Sequence, residues 1–383
     1  MKKLPLNLEK RLQKRKDENS FRQLSFGITG VDFFSNDYLG LSKSKKIYEN
    51  TARILETSKL LNGSTGSRLL SGNHQFFNRT ENMLASFHNS QSALIFNSGY
   101  DANVGFFSAV PQKNDVIFYD EFSHASIRDG LKMSLARNYK FQHNDLEDLK
   151  NRIERLSMDE NSEIYVVTES VFSMDGDSPD LKALVEIAGE FNFNLIIDEA
   201  HATGVVGKKG EGMVQQLGLE SGIFARIHTF GKAMGCHGAA ILGSGQLMDY
   251  LVNFSRSFIY TTALSPHSIA SIFSAYRFLE SDRSFLNELR GNISHFRSEI
   301  IKNGLQDLFI ESQSAIQSCI VSGNSEVKKI AAQLYERGFN VKPILSPTVP
   351  EGKERLRFCI HSYNSPAEIS EVLKLLANFV TKS

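Results

Sequence analysis

The chain is predicted to be an α/β protein, with a large domain on a mainly parallel sheet and a smaller α+β domain at the C-terminus. Three observations predict this. Runs such as "EIYVVTES" (163–170) and "FNLIIDEA" (193–200) are apolar almost throughout instead of alternating, the pattern of strands buried on both faces. Helical stretches separate these runs, as a crossover between parallel strands requires. After about residue 290 the texture changes to short strand-like runs between two helices.

In order along the chain, the N-terminal "MKKLPLNLEKRLQKRKDENSF" puts Leu4, Leu8 and Leu12 on one helical face among many charges. It predicts a short amphipathic helix lying on a larger body, and its lack of an apolar centre argues against a signal peptide. "VDFFS" (31–35) predicts a strand, and 45–60 and 74–89 predict helices. Strands are then expected at "SALIFNSG" (92–99), "DVIFYD" (115–120), 163–170, 193–200, "ARIHTF" (225–230) and "GAAILG" (238–243), with helices starting near Tyr100 and Ser126. Residues 245–300 are expected to be mostly helical. The last part should hold strands at "AIQSCIVSG", "FNVKPIL" and "RLRFCIHS" and helices near 325–338 and 366–381. The expected division is an N-terminal segment 1–45, a large domain 46–290 and a small domain 291–383.

Bulk properties narrow the function. The 383 residues are 41% hydrophobic and 22% charged, and Lys plus Arg balance Asp plus Glu at 43 each. A net charge of zero argues against a nucleic-acid surface that works by bulk charge. Cys236, Cys319 and Cys359 show no paired spacing, so neither a disulfide framework nor a zinc site is expected, and free thiols suit a reducing cytoplasm. No apolar run approaches the ~18 residues needed to cross a bilayer.

In open α/β sheets, ligands lie beyond the carboxyl ends of the strands. Those ends carry Asn97, Ser98, Gly99 and Tyr100, then His124, then Glu169 and Ser173, then Asp198 and His201, then Thr229 and Lys232. Each has an ordinary reading. "NSGY" is also a plain turn before a helix, Asp198 a turn cap, His124 and His201 core or surface histidines, and Lys232 a surface lysine. Their convergence on one edge shifts the balance toward a site. "DEAH" (198–201) also occurs in helicases, but "NGSTGSRLLSG" (62–72) lacks the lysine of a nucleotide-binding loop. No G-x-S-x-G, H-E-x-x-H or G-x-G-x-x-G pattern is present.

Lys232 sits in "RIHTFGKAMGCHGAA" (226–240), an apolar, glycine-lined stretch. Low-dielectric surroundings ease loss of its proton and favour a Schiff base with an aldehyde. An aspartate beside a pyridine nitrogen keeps it protonated, and helix-terminal amides hold a phosphate. One lysine, one aspartate, a histidine and an anion cradle together point to pyridoxal 5'-phosphate.

"SNDYLGL" (35–41), "GSTGSRLLSG" (63–72), "SGYDAN", "SHASIRDG" (123–130), "TESVFSMDGD" (168–177), "DEAHATGVVG" (198–207) and "HTFGKAMG" (228–235) resemble the α-oxoamine synthases. These are pyridoxal-phosphate-dependent acyltransferases of fold-type I, and the similarity runs from about residue 30 into the C-terminal domain. It implies that Lys232 bonds to the cofactor aldehyde, Asp198 pairs with the ring nitrogen, His124 stacks on the ring and His201 meets its phenolic oxygen. By the same resemblance Ser173 supports the ring, with Glu169 nearby. Ser98, Gly99, Tyr100 and Thr229 surround the phosphate, and Thr262 reaches it from a second subunit, so a homodimer is implied. Asn36 is implied to lie near the substrate. Arg357 is implied to grip the amino-acid carboxylate, although Arg355, two residues away, would share its face on a regular strand.

"SAIQSCIVSGNS" (314–325), "SPTVPEGKERLR" (346–357) and "RLLSG" (68–72) lean toward the family member that joins L-alanine to a pimeloyl thioester, carried by coenzyme A or a carrier protein. Leu345 stands just before the "PTVP" segment where some members carry arginine, and Phe77 stands where histidine is usual. The first departure bears on how the far end of the acyl chain is held.

Overall fold

A computed structural model describes residues 3–24, 29–60, 62–157, 159 and 161–380. Its strands are β1 (Val31–Phe33), β2 (Ser92–Phe96), β3 (Val116–Asp120), β4 (Arg137–Phe141), β5 (Ile164–Glu169), β6 (Asn194–Asp198), β7 (Ala225–Thr229), β8 (Ala239–Gly243), β9 (Ile316–Ile320), β10 (Phe339–Ile344) and β11 (Arg355–Cys359). The chain divides into two compact units. One comprises residues 36–173 and 178–287, and the other residues 1–35, 174–177 and 288–383.

The larger unit is built on a seven-stranded sheet in the order β2-β8-β7-β6-β5-β3-β4. Its strands run parallel except β8, which is antiparallel to both β2 and β7. A mainly parallel sheet was expected, but the single reversed strand was not. "GAAILG" is as apolar as its neighbours, so its pattern carries no direction. Every residue of β5 is buried, and alternate side chains feed two separate cores. Ile117, Tyr165, Val167 and Ile196 face one, with Phe106, Phe107, Ile127 and Leu251. Val116, Phe118, Val166, Leu195 and Ile197 face the other, with Leu149, Leu181 and Leu184. Helices therefore cover both faces, and the polar residues can only gather at the sheet's edge.

The smaller unit holds a four-stranded sheet in the order β1-β10-β11-β9. β1 runs parallel to β10, and the other pairs are antiparallel. The expected late helices run Asn324–Glu336 and Pro366–Val380, residue 381 lying outside the described residues. The N-terminal helix forms as α1 (Leu6–Asp17), but none of its residues is buried. Leu4, Leu8 and Leu12 remain 45%, 45% and 46% exposed, so the expected apolar seat is not seen. Three leucines among so many charges offer too little apolar area to hold the helix down. The segment is held instead after the helix, where Lys328 donates to the Asn19 backbone oxygen and to its Oδ1.

Candidate active site

The carboxyl ends of β2, β3, β5, β6 and β7 open on one cavity of about 150 Å³ in the larger unit. Gly99, Tyr100, Asn103, His124, Ser126, Glu169, Asp198, Ala200, His201, Thr229 and Lys232 line it, with Ile227 as an apolar wall. Eight of the expected site residues are thus brought together.

Lys232 stands in the turn between β7 and β8. The Phe230 amide donates to the Gly238 carbonyl at 2.9 Å and the Cys236 amide to the Phe230 carbonyl at 2.8 Å, closing the turn. Gly235 makes it possible: its φ is +62°, and a Cβ there would lie 2.2 Å from the Ser42 nitrogen. The lysine Nζ lies 2.7 Å from His201 Nε2. His201 in turn meets the fully buried Tyr38 hydroxyl at 2.8 Å through Nδ1.

Asp198 ends β6 and is 4% exposed. Its Oδ1 accepts the Ala200 amide at 2.9 Å, and its Oδ2 accepts from Asn103 Nδ2 at 2.9 Å. The Asn103 amide nitrogen also donates to Ser126 Oγ at 3.1 Å. That hydroxyl lies 2.7 Å from His124 Nδ1, which accepts the Ser126 amide as well. The imidazole proton of neutral His124 is therefore on Nε2. Burial, then the Lys232 charge, lowers the His124 pKa and favours the neutral ring.

Glu169 ends β5 directly beside Asp198 in the strand register. It is 2% exposed, and its Oε1 accepts the His124 amide at 2.7 Å. Burial, with the Asp198 charge behind it, pushes its carboxyl up to about 8.

Ser98 caps the helix Gly99–Phe107, accepting the Asp101 amide at 3.0 Å. The first amides of that helix are left without helical partners and face the cavity end, where an anion is favoured. A Cβ on Gly99 would lie 3.3 Å from Thr229 Oγ1, so this corner is kept narrow and free of side chains. An amine, a buried carboxylate, an imidazole and an anion corner form a donor set for a flat, cationic aromatic aldehyde with an anionic tail.

The remaining expected residues lie outside the cavity lining. Ser173 is half-buried, and Thr262 is exposed, its carbonyl accepting from Asn97 Nδ2 at 2.8 Å. Asn36 Oδ1 accepts from the Tyr38 hydroxyl at 3.1 Å. Arg357 is on β11 of the smaller unit, 6% exposed. Arg355 on the same strand pairs with Asp175 and donates to the Lys353 carbonyl at 2.9 Å. Tyr38, Asn103 and Ser126 were not foreseen. All three sit inside motifs already quoted, but nothing in their spacing marks them.

The model of the family "aminotransferase class I and II" matches residues 28–376. The chain is 40% identical to an 8-amino-7-oxononanoate synthase of Emericella nidulans, over 98% of this chain and 96% of that one. Among solved structures it is similar to an 8-amino-7-oxononanoate synthase from Francisella tularensis, at 28% identity and a TM-score of 0.79, covering 92% and 98% of the two chains. It is also similar to a serine palmitoyltransferase from S. paucimobilis with a bound PLP–myriocin aldimine, at 26% identity and a TM-score of 0.88, covering 98% and 97%. With strand order, cavity and motifs in agreement, the chain belongs to the class I and II aminotransferase family, in its α-oxoamine synthase branch.

Proposed function

We propose that the protein is a pyridoxal-phosphate-dependent acyltransferase that condenses L-alanine with a pimeloyl thioester. The products are 8-amino-7-oxononanoate, carbon dioxide and free thiol, which places the reaction in biotin synthesis. The observation that carries the reading is the meeting of Lys232, Asp198, His124 and His201 in one cavity of a chain so similar to a synthase of that name.

The donor set fits the cofactor. Bound there, the cofactor supplies an electron sink for charge left at the amino acid's α-carbon. Lys232 Nζ is the amine that holds the aldehyde, and it takes up the α-proton when released. Asp198, fixed by Asn103 and the Ala200 amide, holds a proton on the ring nitrogen. His124, locked by Ser126, would lie against the ring face. His201 meets the phenolic oxygen. Ser98, Gly99, Tyr100 and Thr229 receive the phosphate, joined by Thr262 of a second copy, so the working unit is a homodimer. Ser173 supports the ring. Asn36 and Arg357 receive the amino acid. Arg357 is the better carboxylate ligand because Arg355 is committed to Asp175. The proposed compartment is the cytoplasm. Among the described residues no helix is long and apolar enough to cross a membrane.

Within the branch, a glycine C-acetyltransferase or serine palmitoyltransferase would use the same cavity. The test supplies L-alanine, glycine and L-serine in turn with pimeloyl, acetyl and palmitoyl thioesters on coenzyme A and on carrier protein. Mass spectrometry then reads the amino ketone formed. Alanine with the pimeloyl group should win, and a preference for glycine or serine refutes the assignment.

A further inference from the structure

A chain of hydrogen bonds leads away from the reactive amine: Lys232 Nζ to His201 Nε2 at 2.7 Å, His201 Nδ1 to Tyr38 Oη at 2.8 Å, and Tyr38 Oη to Asn36 Oδ1 at 3.1 Å. Its proton positions follow from the ends. A lysine ammonium only donates, so His201 Nε2 presents its lone pair. The ring proton of neutral His201 is then on Nδ1 and is donated to the tyrosine oxygen. Tyrosine has one hydroxyl proton, and Asn36 Oδ1 can only accept, so that proton points to Asn36. Each link makes the next consistent. Tyr38 and His201 are 0% and 5% exposed, so water does not compete for these groups freely.

We propose that Tyr38, backed by Asn36, is a positioning residue that holds His201 as the Nδ1–H tautomer, so that Nε2 takes the proton Lys232 must lose before its amine can attack the cofactor aldehyde. The proton moves from Nζ to Nε2. The resulting imidazolium keeps its Nδ1–H bond to the tyrosine oxygen, and the freed lone pair on Nζ becomes the nucleophile. The resemblance to the α-oxoamine synthases implies that His201 meets the phenolic oxygen, whereas here it acts before the ring is seated. The tyrosine hydroxyl can serve both stages. It accepts from Nδ1–H while Nε2 faces the ammonium, and it can turn to donate to Nδ1 once Nε2 must donate to the ring oxygen.

The proposal rests on the reading of Lys232 as the cofactor lysine, but its tautomer is tested without cofactor. Protein stripped of pyridoxal phosphate and labelled with ¹⁵N-histidine is examined by NMR, with His201 identified by the signals lost in His201→Asn. The expected result is a protonated Nδ1 and a bare Nε2, replaced in Tyr38→Phe by a mixture of tautomers. Asn36→Ala, which removes the acceptor of the tyrosine proton, should weaken the preference in the same sense and needs no change in the core. Phenylalanine keeps the volume of Tyr38, and circular dichroism checks that the variant folds. Pyridoxal phosphate is then added, and the growth of its imine absorbance is followed against pH. Tyr38→Phe should load on the order of 10-fold more slowly, because the acceptor remains and only its orientation is lost. A protonated Nε2 in the parent, or unchanged loading across pH in both variants, overturns the proposal. Failure of the parent to take up cofactor at Lys232 would instead sink the functional reading, and the tautomer would still decide this one.

Discussion

Acid should destabilise the larger unit through two histidines beneath the active-site turn. His88 and His228 are 1% and 0% exposed, with ring centroids 4.0 Å apart. His88 Nδ1 donates to the Glu211 carbonyl at 2.9 Å, and its Nε2 accepts from the Tyr276 hydroxyl at 2.9 Å. His228 Nδ1 donates to Thr203 Oγ1 at 2.8 Å, whose own proton goes to the Glu199 carbonyl. His88 is thus satisfied at both nitrogens as a neutral imidazole, and His228 spends its single proton on Thr203 while its buried Nε2 makes no hydrogen bond among the described residues. Burial, then the Arg226 charge, lowers His88 to about 3, and burial, then His88, holds His228 well below 6.5. The unfolded chain binds these protons below about pH 6.5, while the folded chain refuses them, so their stability is present above 6.5 and is lost as pH falls toward 3. Each ring removes about 1.4 kcal/mol per pH unit, so at about pH 5 the pair removes about 4 kcal/mol. Glu169 acts in the opposite sense, because its raised pKa makes the folded state gain stability as pH falls from about 8 toward 4.5, returning about 2 kcal/mol over the same interval. The variant His228→Asn isolates one ring, since its amide can donate to Thr203 and does not titrate. Urea unfolding of the cofactor-free protein at about pH 6.5 and about pH 5, followed by far-ultraviolet circular dichroism, should show the variant losing about 2 kcal/mol less than the parent. Equal losses would refute the reasoning. The consequence reaches the site, because His228 precedes Thr229 on β7.

Three further outcomes follow from side chains already placed. Arg357→Lys should raise the KM for the amino acid at least about tenfold with little change in thermal midpoint, since a bidentate carboxylate grip is lost; Arg355→Ala should instead cost about 3 kcal/mol of stability by leaving the Asp175 carboxylate buried and unpaired, read by thermal unfolding. Gly99→Ala should weaken pyridoxal phosphate binding about tenfold, read by absorbance titration, because its methyl would stand 3.3 Å from Thr229 Oγ1 in the anion corner.

The strands of the sheet centre were legible because burial on both faces leaves an unbroken apolar run. Val116–Asp120, Ile164–Glu169 and Asn194–Asp198 all fall within the expected ranges. β4 was not foreseen. Its "RNYKF" lies at the sheet edge with four of five residues exposed, so no apolar pattern marks it. At the site, the residues on strand ends were legible from position and chemistry. Tyr38 and Asn103 were not, since they act on His201 and Asp198 across 163 and 95 residues of chain. A hydroxyl or amide gains such a role only through tertiary contact. Arg355 and Arg357 show the same limit: the strand period places both on one face, and only the fold reveals that Asp175 takes the first.

The sheet edge also explains how one pair of neighbouring acids is divided between two tasks. Asp198 and Glu169 are partners in the register of β6 and β5, so their side chains leave the same face of the sheet together. Two adjacent buried carboxylates cannot both be ionised cheaply. Their partners break the tie. Asp198 receives the Ala200 amide and the Asn103 amide group, donors that favour the charged form. Among the described residues Glu169 receives the His124 amide alone, and it is Glu169 whose carboxyl is pushed up to about 8. The edge therefore presents on β5 a carboxyl that stays protonated at neutral pH, and on β6 a carboxyl gripped by two donors. A cationic ring nitrogen needs a single counter-charge, and a neutral Glu169 adds no second one. The neutral acid is free for structural work, holding the loop of His124 by its backbone. Asn103 is the hinge of this division, because its one amide nitrogen donates to Asp198 and, through Ser126, fixes the tautomer of His124.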